Sequence, residues 1–206
     1  MDTPNQKFNT AVSPTWCPGC GNYLIMAAIK NALKELNIPK HKVVVLSWIG
    51  CASKMSQYID SYGCETLHGR SLPFATGIKL SNPDLTVIAY WWDGDGYGIG
   101  LWHFLHSCRR DINLTYIVAN NENYGLTTGQ ASPTTPLYVK TKSTPDGNQI
   151  LPFDPNALAK AAGCAYSVRV IDKDLPLLTQ AIVDGIKHEW FSHIDVDQQC
   201  PSWRKR

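Results

Sequence analysis

The chain is 206 residues long, 44% hydrophobic and 17% charged, with a formal net charge of +2. That length can bury a real core as one folded unit spanning residues 1–206, while the balanced charge gives no electrostatic case for nucleic acid. No apolar run approaches the ~20 residues that span a bilayer, which predicts a soluble, cytoplasmic protein without membrane contact.

Along the chain, cysteines come first. Cys17 and Cys20 stand in WCPGCG, Cys51 in WIGCASK and, far beyond, Cys200 in IDVDQQCPSW. Seven cysteines with no apolar signal core at the start argue against a disulfide framework and for a reducing compartment. A Cys-x-x-Cys pair puts two thiolates within reach of one metal, with further ligands free to come from anywhere the fold brings close. Structural zinc, iron–sulfur and a thioredoxin-like redox pair all remain open on spacing alone.

The stretch from Tyr23 to Leu36 carries apolar residues at helical spacing and stops before Pro39; Lys42 to Ile49 (KVVVLSWI) is a β-branched run that reads as a buried strand. Leu72 to Leu80 predicts a helix ended by Asn82-Pro83, and Leu85 to Trp92 a second buried strand that enters a glycine loop. Gly100 to Cys108 reads as helix, Leu114 to Ala119 as strand, and residues 129–155, rich in Pro, Thr, Ser and Gly, as a long ordered loop. The remainder predicts helix from Pro155 to Ala162, strand from Ala165 to Val170, helix from Leu175 to Glu189 and a short strand from His193 to Val196. This alternation implies an α/β fold, a mostly parallel sheet with helices on both faces and ligands outside the carboxyl ends of the strands. The terminal Arg204, Lys205 and Arg206 form the only basic run and read as a solvated tail.

The loop DGDGYGIG, from Asp93 to Gly100, fails both the dinucleotide fingerprint and the P-loop pattern. A third reading places the Asp93 carboxylate on Mg²⁺, with glycines that let the backbone approach a diphosphate and a second oxygen ligand after the next strand. Asn120 and Asn121 occupy that place, and the 28 residues from Asp93 to Asn121 (121 − 93) make about one strand–helix–strand step. The competing reading, glycine turns with an Asn closing a turn, loses ground because both pieces occur together.

The ordered series WCPGCG, IGCASK, LHGRSLPFATGIKLSNPDLTVI, DGDGYGIG, NNENYGLTTGQASPTTP and IDVDQQCPSW resembles the β subunit of 2-oxoacid:ferredoxin oxidoreductases over nearly the whole chain. The resemblance implies thiamine diphosphate, Mg²⁺ and one [4Fe-4S] cluster as cofactors. It assigns Cys17, Cys20, Cys51 and Cys200 to the cluster, Asp93 and Asn121 as side-chain ligands of Mg²⁺, and the Asn123 backbone carbonyl as a third protein ligand. Gly94 and Asp95 fall at diphosphate-contacting positions; Gly125, Leu126 and Thr127 lie beside the diphosphate and thiazolium, and Ile49, Gly50, Cys51 and Ala52 pass along the cofactor. His68 is expected to line the substrate side of the thiazolium, where it would position the 2-oxoacid carboxylate or assist proton transfer. His103, His106, Cys64, Cys108 and Cys164 read as packing or hydrogen-bonding residues.

The chain departs from that family pattern in three places. Trp92 replaces the usual Gly before Asp93, so a large ring stands where close packing is expected. Thr128 stands where relatives vary between small residues and Lys, and the missing Lys leans the substrate toward pyruvate and other monocarboxylates over 2-oxoglutarate. Relatives continue well past the motif at Cys200, so contacts made by that extension are expected to be absent, supplied by a partner or lost through truncation. The implied activity is CoA-dependent oxidative decarboxylation of a 2-oxoacid, with electrons passing through the cluster to ferredoxin, and it requires an α subunit and admits further γ and δ subunits. A non-oxidative thiamine enzyme would share Asp93 and Asn121 without needing the cysteines, and a non-catalytic, zinc-stabilised assembly protein is the other alternative.

Overall fold

A computed structural model of the chain describes residues 8–204. Its centre is a six-stranded sheet in the order β2-β1-β3-β4-β8-β7, with every pairing parallel. The strands are β1 (Val43–Ser47), β2 (Tyr62–Glu65), β3 (Thr86–Trp92), β4 (Thr115–Asn120), β7 (Tyr166–Ile171) and β8 (Ser192–Asp197). A two-stranded antiparallel ribbon, β5 (Asn123–Tyr124) and β6 (Gln130–Ala131), stands apart from it.

Strands β1, β3, β4 and β8 are rich in Val, Ile and aromatic residues and are buried along almost their whole length, as expected for a sheet covered on both sides. Helix α1 (Asn22–Glu35) packs on α6 (Leu175–Lys187), while α3 (Ser71–Ser81), α4 (Leu101–Arg110) and α5 (Pro155–Ala161) pack in series; the short α2 (Met55–Tyr58) follows β1. Both α5 and α6 begin on an aspartate cap with proline in the first turn: the Asp154 side chain accepts from the amides of Asn156 and Ala157, and that of Asp174 from Leu177.

The expected helices and strands lie where the sequence placed them, within a few residues at each end. The short α2, the β5–β6 ribbon, strand β2 and the π segment went unforeseen. Strand β2, sequence YGCE, lies at the sheet edge with most of its residues exposed, so it has no apolar run for a period argument to detect. The glycine loop is not open: residues Gly94–Ile99 form a π-helical segment, kinked at Gly98 where the backbone leaves helical geometry, that precedes α4. The expected long loop is ordered, and Tyr138 and Val139 exchange backbone hydrogen bonds with Asn148 at 2.8 and 2.9 Å.

The chain visits β1, goes outward to β2, and returns on the other side of β1 to β3, so the sheet reverses its winding between β1 and β3. At such a point the connections leave in opposite directions and open a crevice. Because the sheet is all parallel, the carboxyl ends of β1, β3, β4 and β8 share one edge. Those ends lead into the Gly50–Ala52 turn, Asp93, Asn121 and Cys200.

The π segment crosses the sheet very closely. A Cβ on Gly96 would sit 2.1 Å from the Tyr116 hydroxyl and 3.3 Å from the ring carbon bearing it, and Tyr116 is itself buried. Gly96→Ala should therefore cost about 1–3 kcal/mol of stability by overpacking. Tyr116→Phe in the same chain should return part of that loss, and a urea-denaturation double-mutant cycle with no coupling would contradict this packing account.

Candidate cofactor and cysteine site

Asp93 follows β3 and is fully buried. Its Oδ1 accepts the Asn121 amide at 3.2 Å, and its Oδ2 lies 2.8 Å from the Thr134 hydroxyl. That hydroxyl is also 2.9 Å from Asn120 Oδ1, and with one hydrogen it can donate to only one of the two at a time. Burial pushes the Asp93 carboxyl up to about 7, with the hydrogen bonds opposing that rise. The shift means that burial makes this carboxyl harder to ionise.

Asn121 and Asn123 flank this position. The Asn123 amide donates to Asn121 Oδ1 at 3.1 Å, and the Asn123 side chain donates to the Asn121 carbonyl at 2.8 Å. Asn123 Oδ1 and Asp95 Oδ2 are buried without hydrogen-bond partners among the described residues, so two oxygens at this edge retain unused acceptor capacity. The other Asp95 oxygen accepts the Gly69 amide at 2.7 Å and contacts His68 Nδ1. Burial and the nearby Arg70 guanidinium lower the His68 pKa from its ordinary value. A neutral His68 ring that donates from Nδ1 to Asp95 keeps its lone pair on Nε2.

Gly94 is required by a side chain of the site itself. A Cβ there would meet the Tyr124 ring at 2.6 Å, and the Tyr124 hydroxyl donates to the Gly94 carbonyl at 2.8 Å. Trp92, expected to disturb the strand end, instead fills it. Its ring meets Tyr124 edge to face at 5.0 Å, and a Cβ on Gly50 would lie 3.6 Å from it and 3.5 Å from Leu126. Ile49 to Ala52 and Gly125 to Thr127 thus approach one another across Trp92.

The four motif cysteines gather from both ends of the chain. Burial raises the Cys20 thiol to about 11, with the charges of Cys51, Cys200 and Cys17 adding to the rise. Burial also raises Cys51, and Cys200 and Cys17 again oppose its ionisation. The gathering has a definite cause. The Gly21 amide donates to the Gln199 carbonyl at 3.1 Å, Asp172 Oδ2 accepts the Gln199 amide at 2.7 Å, and the Gln198 side chain donates to Cys20 Sγ at 3.3 Å and to Asn22 Oδ1 at 3.2 Å. Trp16 Nε1 donates to the Cys51 carbonyl at 2.5 Å, which ties the remaining cysteine to the first motif.

Among the described residues no three His, Cys, Asp or Glu side chains converge tightly enough to ligate one metal ion. Of the four motif thiols Cys17 is exposed, Cys20 is buried, and Cys51 and Cys200 are half-buried.

The two halves of the site meet at Gly125, where a Cβ would stand 3.3 Å from Asn123 Oδ1 and 3.8 Å from Cys200 Sγ. Thr128 is exposed with a left-handed φ of 81°, and Lys142 Nζ donates to its hydroxyl at 2.6 Å. The position expected to lack a cation therefore has one beside it, from 14 residues downstream.

Two further expectations change. Arg204 is not a solvated tail: only 14% of its side chain is exposed, and its guanidinium pairs with Glu122 at 2.6 Å and Asp197 at 3.1 Å. Lys205 and Arg206 lie outside the described residues. Cys64 lies half-buried on the edge strand rather than in the core, whereas Cys108 and Cys164 are buried, and the Cys164 thiol donates to the Tyr166 and Phe191 carbonyls at 3.1 and 3.6 Å. His103 bonds Arg70 at 3.2 Å and His106 packs on Trp102. The sequence reading missed Trp16, Asn22, Thr134, Tyr124, Lys142 and Gln198; all but Lys142 lie within or directly beside the quoted motifs, whereas Lys142 stands outside them.

Comparison with known proteins settles the family. Residues 38–196 match the family described as thiamine pyrophosphate enzyme, C-terminal TPP binding domain. The chain is 44% identical over 199 residues to the 2-oxoglutarate synthase subunit KorB of Archaeoglobus fulgidus, covering 96% of this chain and 74% of that protein. The chain belongs to the β-subunit family of 2-oxoacid:ferredoxin oxidoreductases. It is also 48% identical to the 2-oxoacid:ferredoxin oxidoreductase subunit beta of Saccharolobus solfataricus, over 91% of this chain and 62% of that one. A structure of 2-oxoglutarate:ferredoxin oxidoreductase from Magnetococcus marinus, with 2-oxoglutarate, coenzyme A and succinyl-CoA bound, superposes with a TM-score of 0.94 at 36% identity. That match covers 96% of this chain and 68% of the other. Benzoylformate decarboxylase from Polynucleobacter necessarius, at a TM-score of 0.60 and 20% identity, shares the fold. No helix among the described residues is long and apolar enough to cross a membrane.

In this thiamine diphosphate-binding family member, Tyr124→Phe removes the hydroxyl that holds Gly94 and leaves the ring packing intact. The expected outcome is a thiamine diphosphate affinity lower by about 2- to 10-fold, the worth of one ordinary hydrogen bond. Calorimetry on the complex giving parental affinity would show that the Tyr124 bond does not position the loop.

Proposed function

We propose that this chain is the β subunit of an enzyme that oxidatively decarboxylates a 2-oxoacid with coenzyme A as acyl acceptor and ferredoxin as electron acceptor. Mg²⁺ would be held by Asp93, Asn121 and the Asn123 carbonyl, and a [4Fe-4S] cluster by Cys17, Cys20, Cys51 and Cys200. The observation that carries this reading is Gly125, which adjoins Asn123 on one side and the Cys200 thiol on the other, so that cofactor loop and cluster ligand are neighbours. Thiamine diphosphate, when bound, supplies the electron sink for decarboxylation.

The chain's own residues then have separable roles. Asp93 gives Mg²⁺ its one formal negative charge from the protein; Gly94 and Asp95 present backbone amides toward the diphosphate. Trp92 and Leu126 form an apolar wall, and Gly125, Leu126 and Thr127 lie along the cofactor. His68 holds a lone pair at Nε2, fit to position the substrate carboxylate or receive a proton. The α subunit completes the substrate pocket, further subunits carry any added clusters, and the assembly works in the cytoplasm. A non-oxidative thiamine enzyme has no use for four cysteines drawn together from both chain ends, which favours the oxidoreductase.

Lys142 at Thr128 favours a dicarboxylic 2-oxoacid, in keeping with relatives named 2-oxoglutarate synthase. Lys142→Ala should lower kcat/KM for 2-oxoglutarate relative to pyruvate on the order of 10-fold, the low end for a charge-assisted bond because the lysine is exposed. An unchanged ratio, assayed in the assembled complex with ferredoxin as acceptor, would place specificity elsewhere.

The function itself is tested by isolating the complex anaerobically, quantifying iron and following 2-oxoacid-dependent ferredoxin reduction. Cys200→Ser should lose most of the iron because a hydroxyl is a poor substitute for a soft thiolate, while Cys108→Ser should retain it. Equal iron in the two variants would refute the ligand assignment.

A further inference from the structure

Beyond Cys200 the chain turns back on the cofactor loop. The Arg204 amide donates to the Cys200 carbonyl at 2.9 Å and closes the turn. From there Arg204 reaches into the segment that carries Asn121 and Asn123. One guanidinium nitrogen lies 2.6 Å from Glu122 Oε1; the other donates to the Asn120 carbonyl at 3.3 Å and lies 3.1 Å from Asp197 Oδ1. Trp203 fills the space between: a Cβ on Gly129 would sit 2.5 Å from its ring, and one on Gly125 3.7 Å from it. A single short turn thus presents a cysteine, an indole and a guanidinium to residues 120–129 in succession.

We propose that the Cys200–Arg204 turn couples the two halves of the site, so that metal retention at Cys200 and cofactor affinity at Asn121 to Thr127 depend on each other, with Arg204 as the positioning residue. This rests on the function proposed above and adds a dependence that neither half requires. The reason is geometric. Arginine's planar fork can hold the Glu122 carboxylate and the Asn120 carbonyl together, a pattern the compact lysine ammonium does not reproduce. When Cys200 is anchored to iron, the turn is anchored with it, and Glu122 is held between the two asparagines. When Cys200 is released, Trp203 and Arg204 lose that anchor and the asparagine segment loses its support. Linkage makes the effect reciprocal: what strengthens cofactor binding when iron is present must strengthen iron retention when cofactor is bound.

The test uses the assembled complex, prepared anaerobically as parent, Arg204→Ala, Arg204→Lys and Glu122→Gln. Thiamine diphosphate affinity in the presence of Mg²⁺ is measured by calorimetry with iron retained and after its removal by chelation, and hydrogen exchange of residues 120–129 is followed in parallel. In the parent, iron removal should weaken the cofactor by about 5- to 150-fold, the usual span of such couplings, and raise exchange in that segment. Arg204→Ala should already bind weakly with its iron in place and lose little more when iron is removed; Arg204→Lys should recover part of the difference. Should Arg204→Ala fail to assemble, Glu122→Gln keeps the arginine and the shape and should reduce the coupling by itself. A parent that holds iron and cofactor yet binds the cofactor equally with and without iron overturns this inference alone. Variants whose coupling equals the parent's overturn it too. A parent complex that holds no iron overturns the proposed function together with it.

Discussion

Placing Asp93 at the end of β3 takes a carboxylate completely out of water, and the amide of Asn121 and the hydroxyl of Thr134 only partly offset the lost hydration. The upward displacement of its pKa to about 7 expresses that imbalance. Much of the surrounding edge follows from it. Thr134 comes from the long loop after β6 and ties that loop to the sheet. Asn121 must leave β4 with its amide turned toward Asp93, which directs the next residues into the asparagine turn and on to Gly125.

A second polar system fixes the floor beneath this edge. Asn120 donates to the buried Asp195 carboxylate at 3.1 Å, Arg169 to the same carboxylate at 2.6 Å, and the Tyr97 hydroxyl lies 2.9 Å from Asp195 and 2.7 Å from His193. Burial holds His193 down to about 3, so the ring is neutral and serves as a hydrogen-bonding spacer, with Ser167 2.9 Å from its Nδ1. These contacts join β4, β7 and β8 to the π segment after Asp93. They relate the cofactor edge to the rigid centre of the sheet, where satisfied polar networks are stiff.

The cysteine half is assembled differently. Cys17 and Cys20 precede α1, Cys51 follows β1 and Cys200 follows β8, and what unites them is a few hydrogen bonds among Gly21, Gln198, Gln199 and Asp172. Tyr90 donates to Asn22 at 2.7 Å, and Gln198 to the same oxygen, so the pocket behind the thiols is polar and ordered. Burial, with a smaller contribution from the neighbouring sulfurs, raises the cost of ionising Cys20 and Cys51.

The sequence by itself determined the parallel α/β architecture, because β-branched runs alternating with helical periodicity admit few other solutions. It also determined the motif residues, since Asp93, Asn121 and the cysteines sit in short segments whose composition has a chemical rationale. Strand β2 was invisible because an exposed edge strand needs no apolar run, and the π segment because glycines say nothing about which ring lies against them. Tertiary structure alone decided that Trp92 fits, that Lys142 reaches Thr128, and that Arg204 is a clamp instead of a tail. Each of these depends on a partner distant in sequence: Tyr124 for Trp92, Thr128 for Lys142, Glu122 for Arg204. Local pattern reports which face of an element is apolar; only the closed sheet fixes which remote side chain a charge or ring will meet.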